Sequence, residues 1–220
     1  MKTMKRSYST PFLLIALLAL TWSDSPGEDQ EKASSRIKRY EIEKACVEYK
    51  MIGMLKGTET VYFADWGNDE LTIKDVVMEI GPMKQRTHTA TYTKGDKIYT
   101  VDLETKKGTV MENPMLNTMT EEEAKKFGEE FLKQLGKEVG TEEFLTRTCR
   151  VFEMPGLGSR VLIWKNLALK SETGLGTMNQ TRAAAKITFE FDKKVLELPT
   201  DIDFEKGPDL PNIMKMMKRN

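Results

Sequence analysis

The sequence predicts a mainly β, α+β fold: a curved antiparallel meander with one amphipathic helix laid on it. Three observations carry this. The stretch THTATYTKGDKIYTVDLETKKGTVM reads as three alternating, β-branched strands joined by turns at Lys94-Gly95-Asp96 and Lys106-Lys107-Gly108. Between Leu71 and Ile80 the apolar set moves from Leu71 and Ile73 to Val76, Met78 and Ile80. A β-bulge near Lys74-Asp75 would produce that change of face, and bulges curl sheets. From Thr120 to Val139 the hydrophobic period becomes helical. No strand–helix–strand alternation signals a parallel sheet.

Taken in order, Tyr40 to Leu55 reads as one long first strand with Ala45, Val47, Tyr49, Met51 and Leu55 on an apolar face. A second strand ends in a turn at Trp66-Gly67-Asn68-Asp69. In the central meander Tyr99, Val101 and Leu103 share one face, and Ile98, Thr100 and Asp102 the other. The helix, about residues 121–139, opens on a Thr120/Glu123 capping box. Its stripe is Ala124, Phe127, Phe131, Leu135 and Val139, so one face lies on the sheet, as a plain core helix or as a movable lid. Strands then resume over 144–154, 160–165, 167–172 and 181–192, the last with Ile187, Phe189 and Phe191 in alternation. Val195 to Pro199 closes the run, giving ten or eleven strands in all, and a Pro-broken, Met-rich tail follows.

The 220 residues carry 34 basic and 34 acidic side chains, so the balance offers no electrostatic case for a nucleic-acid partner. Lys2, Lys5 and Arg6 precede the apolar run Pro11–Leu20, the form of a secretory signal peptide, with cleavage expected after Ser23. This places the protein in a periplasm or outside the cell, and it divides the chain into a signal peptide (1–23), a flexible lead-in (24–38), one domain (39–204) and a tail (205–220). In an oxidising compartment the two cysteines, Cys46 and Cys149, are expected to pair, with buried free thiols as the alternative.

Catalytic signals are missing. His88 is the sole histidine, which removes His-based acid–base pairs and multi-His metal sites. There is no G-x-S-x-G elbow, and the Gly156–Ser159 and Gly174–Thr177 segments lack a phosphate-loop pattern. Neither an enzymatic activity nor a metal or cofactor is expected.

Several segments carry a resemblance: GTETVYF, KIYTVDLETKKGTVMENPM, the Cys149 strand followed by VLIWKNLALKSE, and VLELPTDIDF. Over residues 40–204 they are similar to an uncharacterised family of secreted bacterial domains. That family resembles the half-barrel lipoprotein-carrier superfamily, which includes periplasmic carriers of the LolA type and related lipid-binding lipoproteins. The resemblance implies a half-barrel whose apolar concave face, partly covered by the helix, holds acyl chains. The expected function is therefore binding of a lipid, a lipoprotein acyl chain or another apolar ligand by a monomer. A cell-envelope protein–protein module without a small ligand is the alternative. Candidate groove residues are Tyr49, Met51, Tyr99, Val101, Phe127, Phe131, Trp164, Phe189 and Phe191.

Overall fold

Strand pairing decides the architecture, seen here in a computed structural model that describes residues 38–113, 136–175 and 178–207. The strands are β1 (Ala45–Gly53), β2 (Leu55–Ala64), β3 (Asp69–Ile80), β4 (Met83–Lys94), β5 (Lys97–Asp102) and β6 (Lys107–Glu112). There follow β7 (Lys137–Phe144), β8 (Arg147–Met154), β9 (Ser159–Trp164), β10 (Leu167–Leu175), β11 (Met178–Thr188) and β12 (Phe204–Lys206). They form one open, curved sheet in the order β12-β6-β5-β4-β3-β2-β1-β11-β10-β9-β8-β7. Two meanders, β1–β6 and β7–β11, are joined where β1 pairs with β11. The pairing is antiparallel except at one edge, where β12 lies parallel to β6, so the expected all-antiparallel sheet is mixed.

We call inner the face that carries Ala45, Val47, Tyr49 and Met51, all buried. On that face the β1 residues pack with Val61 and Phe63 of β2, Leu162 of β9, Leu169 of β10 and Cys149 and Val151 of β8. On the outer face of the other half, Leu71, Ala90 and Val101 are covered by Phe191, Leu196, Ile202 and Phe204 from the C-terminal segment. A smaller outer cluster joins Phe152, Met154, Val161 and Ile163. Apolar packing thus changes sides along the sheet.

This change explains β3. Its pairing with β2 and β4 runs through without a register shift, so the bulge expected near Lys74-Asp75 is absent. Leu71 belongs to the outer cluster, whereas Val76, an odd number of residues away, turns to the inner face, where it is also buried. Bulges occur instead at Glu48/Tyr49 against β11, at Glu138/Gly140 against β8 and at Ala168/Lys170 against β9.

Four further expectations change. The long first strand is two strands, because Gly53 (φ +129°) turns the chain so close to β11 that a Cβ would lie 2.0 Å from the Asn179 carbonyl oxygen. Residues 114–135, with most of the expected helix, lie outside the described residues, but Lys137–Val139 are strand β7. Gly136 leads into that strand against β8, where a Cβ would meet the Glu153 carbonyl oxygen at 2.5 Å. Strand β11 ends at Thr188. The closing strand expected over Val195 to Pro199 is not formed; Lys193–Leu196 is a 3-10 turn in which the Asp192 carboxylate accepts from the Lys194 amide at 3.0 Å. The expected signal peptide, the lead-in up to residue 37 and the tail beyond Gly207 lie outside the described residues.

The expected Cys46–Cys149 bridge is not formed; both thiols are free and buried. β1 and β8 are not paired; four strand steps separate them in the sheet. The thiols also point to opposite faces, since Cys149 packs in the same cluster as Val47, while Cys46 hydrogen-bonds to Tyr62 and Thr188. Burial raises the pKa of both, so neither is a ready thiolate. Alkylation of the non-reduced protein should therefore label two thiols per chain, and only after denaturation. A mass showing a bridge would contradict this strand order.

Candidate functional site

The inner face is where the sheet curls. Tyr49 on β1 donates its hydroxyl to the Ala168 carbonyl oxygen on β10, 3.1 Å away, reaching over β11. Arg182 on β11 reaches over β1 to Glu59 on β2, with Nε at 2.7 Å and Nη2 at 2.6 Å from Oε1. Alternate strands lie about 9.6 Å apart, so these side chains lie across the intervening strand, and the packing of β1 and β2 against β8–β10 shows the sheet folding toward this face. The β10 bulge contributes by disrupting the ladder at Ala168, whose carbonyl also accepts from Arg182 Nη1 at 3.3 Å.

Around these contacts lies a buried ion cluster. The Arg182 guanidinium stacks 3.4 Å from the Tyr49 ring centroid, and Lys74 Nζ lies 3.0 Å from Glu59 Oε2. Burial works to raise the Glu59 pKa, but Arg182 and Lys74 outweigh it and hold the carboxyl below its ordinary value. The Tyr49 phenol is pushed up to about 12, chiefly by burial.

From this cluster to the β6 edge the inner face mixes hydroxyls with the apolar Val76, Ile98 and Met111. Thr72, Thr91, Thr100 and Thr109 form one row across β3, β4, β5 and β6. Thr87, Thr89 and Thr93 of β4 share their side, with Thr89 and Thr93 buried. Each threonine presents a methyl and a hydroxyl, so the surface suits both apolar chain and polar head. At the far end of β3 and β4 a shallow pocket of about 230 Å³ is lined by Met78, Met83, Lys84 and Gln85. At the other end of the face a second charged group ties the chain before β1 to β3: Arg39 and the Tyr40 hydroxyl both meet the Glu70 carboxylate. The inner face is therefore an apolar floor on β1, β2 and β8–β10 beside a hydroxyl-lined field on β3–β6, with cations at the seam.

The sequence-predicted groove residues separate in space. Tyr49 and Met51 lie in the inner floor. Trp164 packs against the inner cluster, and Phe189 stands 6.4 Å from it, with Arg147 over both rings. Tyr99, Val101 and Phe191 are on the outer face, under or within the C-terminal cover. Phe127 and Phe131 lie outside the described residues. The nine do not share one face. Glu59, Lys74, Arg182 and the threonine row were missed, although THTATYTK displays the alternation Thr87, Thr89, Thr91, Thr93 openly. The ion cluster had no comparable signal, because its members meet only through pairings across the chain. Among the described residues no three His, Cys, Asp or Glu side chains come together as metal ligands would.

No family model matches this sequence, and no curated protein sequence matches it. Among solved structures, an uncharacterized conserved protein from Thermus thermophilus aligns with a TM-score of 0.50 at 8% identity, over 78% of this chain and 95% of that one. The likeness is one of fold alone. LprF from Mycobacterium bovis aligns at TM-score 0.36 and 7% identity, over 75% of this chain and 99% of that one. PNGF-II aligns at 0.37 and 9%, over 81% of this chain and 33% of that one. Scores that low carry no argument about this chain.

Glu59 supplies a test of the cluster. A carboxyl held below its ordinary pKa stabilises the fold at pH values above that ordinary value, near 4.5, and the contribution is lost as pH falls through the folded value. Glu59→Gln should cost about 2–4 kcal/mol at pH 7, somewhat less than a fully buried pair because both cations keep some water. The difference between the two proteins should shrink progressively as pH falls below about 4.5 and the wild-type carboxyl is protonated too. A difference that persists unchanged to pH 3 would show that the ion cluster is not its source.

Proposed function

We propose that the protein is an exported, non-enzymatic carrier that holds a lipid, a lipoprotein acyl chain or another apolar chain on the inner face of its sheet. The inner face supports this reading best. It is the side toward which an open sheet curls, and it sets methyl-bearing threonines beside a dry apolar floor. A surface of that composition takes an apolar chain along its methyls and fixes orientation through a few polar groups. The outer face of β2–β6 is already covered by the chain's own Leu196, Ile202 and Phe204. Export rests on the signal-peptide form of residues 1–23, and the absence of enzymatic activity on the single histidine.

One observation favours a protein-binding module instead. Strand β7 is a sheet edge with most residues exposed, and edges accept an added strand from a partner. Its charged sequence, KEVGTEEF, and its bulge at Gly140 are devices that discourage such pairing, which keeps the carrier reading ahead.

Organic extraction of protein purified from its native host should release acyl-bearing lipid in near-stoichiometric amount. Thr91→Trp, which fills the centre of the threonine row, should weaken binding of a fluorescent fatty acid at least tenfold while leaving the unfolding midpoint within a few degrees. Absence of lipid in the extract together with an unchanged probe affinity would leave the partner-binding reading as the better one.

A further inference from the structure

Along β3 and β4 the inner face changes character from one end to the other. The two strands stand in unbroken register, with Thr72 opposite Thr91, Lys74 opposite Thr89, Val76 opposite Thr87 and Met78 opposite Gln85. From Lys74 the stripe leads one way through Thr72 to Glu70, which Arg39 and the Tyr40 hydroxyl already hold. The other way it turns apolar, over the buried Val76 to the pocket at Met78 and Met83. Four residues separate Lys74 from Met78, about 13 Å along a strand.

Lys74 is the cation at this junction with bonding capacity to spare. Arg182 commits Nε and Nη2 to Glu59, Nη1 to the Ala168 carbonyl oxygen and its flat face to the Tyr49 ring. The Lys74 ammonium has three N–H donors, and among the described residues the carboxylate it meets is Glu59, at 3.0 Å. The Lys74 side chain is 28% exposed and that of Glu59 7%, so one sunken carboxylate lies between two cations and Lys74 faces the open side. Neighbouring carboxylates are engaged elsewhere. Asp75 points to the other face and pairs with Arg86. Asp102, two strands away beyond Thr89, accepts from the Glu104 and Thr105 amides at 2.9 and 2.8 Å and stands opposite Lys107.

We propose that the ligand is an amphiphile with an anionic head, a carboxylate or a phosphate, bound by the Lys74 ammonium, and that its acyl chain runs over Val76 toward Met78 and Met83. This rests on the carrier reading and adds to it the class of amphiphile and the way round it lies. An anion beside Lys74 receives charge-assisted hydrogen bonds, and the Thr89 hydroxyl directly across can donate another. A cationic head is repelled at the same point, and a neutral one leaves the second cation without a counter-charge. The opposite orientation would lay the apolar chain against the Arg39–Glu70 ion pair.

The test titrates the full chain, at neutral pH and below micelle-forming concentrations, with laurate, lauryl phosphate and lauryl alcohol, which share one apolar chain. Both anions should bind at least about tenfold more tightly than the alcohol, the difference between a hydrogen bond to a charged group and a neutral one. That preference should shrink as salt is raised. Whichever anion binds more tightly distinguishes a free fatty acid from a phosphate-headed lipid as the source. Lys74→Gln should bring both anions to the alcohol's affinity, and Lys74→Arg, which keeps the charge, should retain the preference. Lys107→Gln, at the start of β6, should leave it unchanged. Met78→Ser with Met83→Ser should weaken all three ligands alike, by about fivefold or more, because it removes contacts to the chain and none to the head. Alcohol binding as tight as laurate's in the wild type would overturn the anionic head and leave the carrier reading standing, whereas failure of all three to bind would overturn both. A preference that survives Lys74→Gln or ignores salt, or a double serine variant with unchanged affinities, would overturn the placement.

Discussion

Everything else in this structure depends on a contact made over the heads of intervening strands. Arg182 reaches across β1 to Glu59, Tyr49 reaches across β11 to the Ala168 carbonyl, and the guanidinium lies on the phenol ring between them. Four successive strands are held in a curl by one polar knot. A twisted sheet bends readily, but the knot sets which way. It stands only because its parts satisfy one another: a carboxylate with two cations, and a bulge-exposed carbonyl with two donors. Removing one partner leaves buried charge without compensation, which costs more than the contact itself contributes.

The direction of the curl divides the labour between the faces. Where the sheet folds inward, at β1, β2 and β8–β10, side chains meet across the fold and fill the space with a dry core. Along β3–β6 most apolar packing is on the other side, under the C-terminal segment, while Val76, Thr89 and Thr93 are buried on the inner face. The inner face of that half carries the threonine row among Val76, Ile98 and Met111, a mixture that tolerates both water and an apolar guest. Strand β3 runs through both regimes, which is why its hydrophobic residues change parity without any break in its hydrogen bonding.

Much of this fold was legible in the sequence. The strand alternation, the turns around Gly95 and Gly67 and the buried face of β1 are local properties, and they survive in place. What failed was whatever needed long-range register. The parity change in β3 imitates a bulge, since a local pattern cannot separate a broken strand from an unbroken one that serves two cores. The Ile187, Phe189, Phe191 alternation implied one continuous face, but the chain leaves β11 after Thr188, and the rings of Phe189 and Phe191 end beside Trp164 and Tyr62 respectively. Cys46 and Cys149 satisfied every sequence argument for pairing, yet their strands and faces forbid it. Of the candidate site, the threonine alternation is visible in the sequence; Glu59, Lys74 and Arg182 are ordinary surface types until the strand order brings them together.

The central claim is that the inner face, not the covered outer one, receives an apolar chain. Relaxation enhancement of threonine and valine methyl signals by a spin-labelled fatty acid tests it directly. The account predicts strong broadening at Thr72, Thr89, Thr91 and Thr100 and little at Val101 and Val110, which face the other way. Broadening concentrated at Val101 and Val110, or spread evenly over both faces, would contradict it.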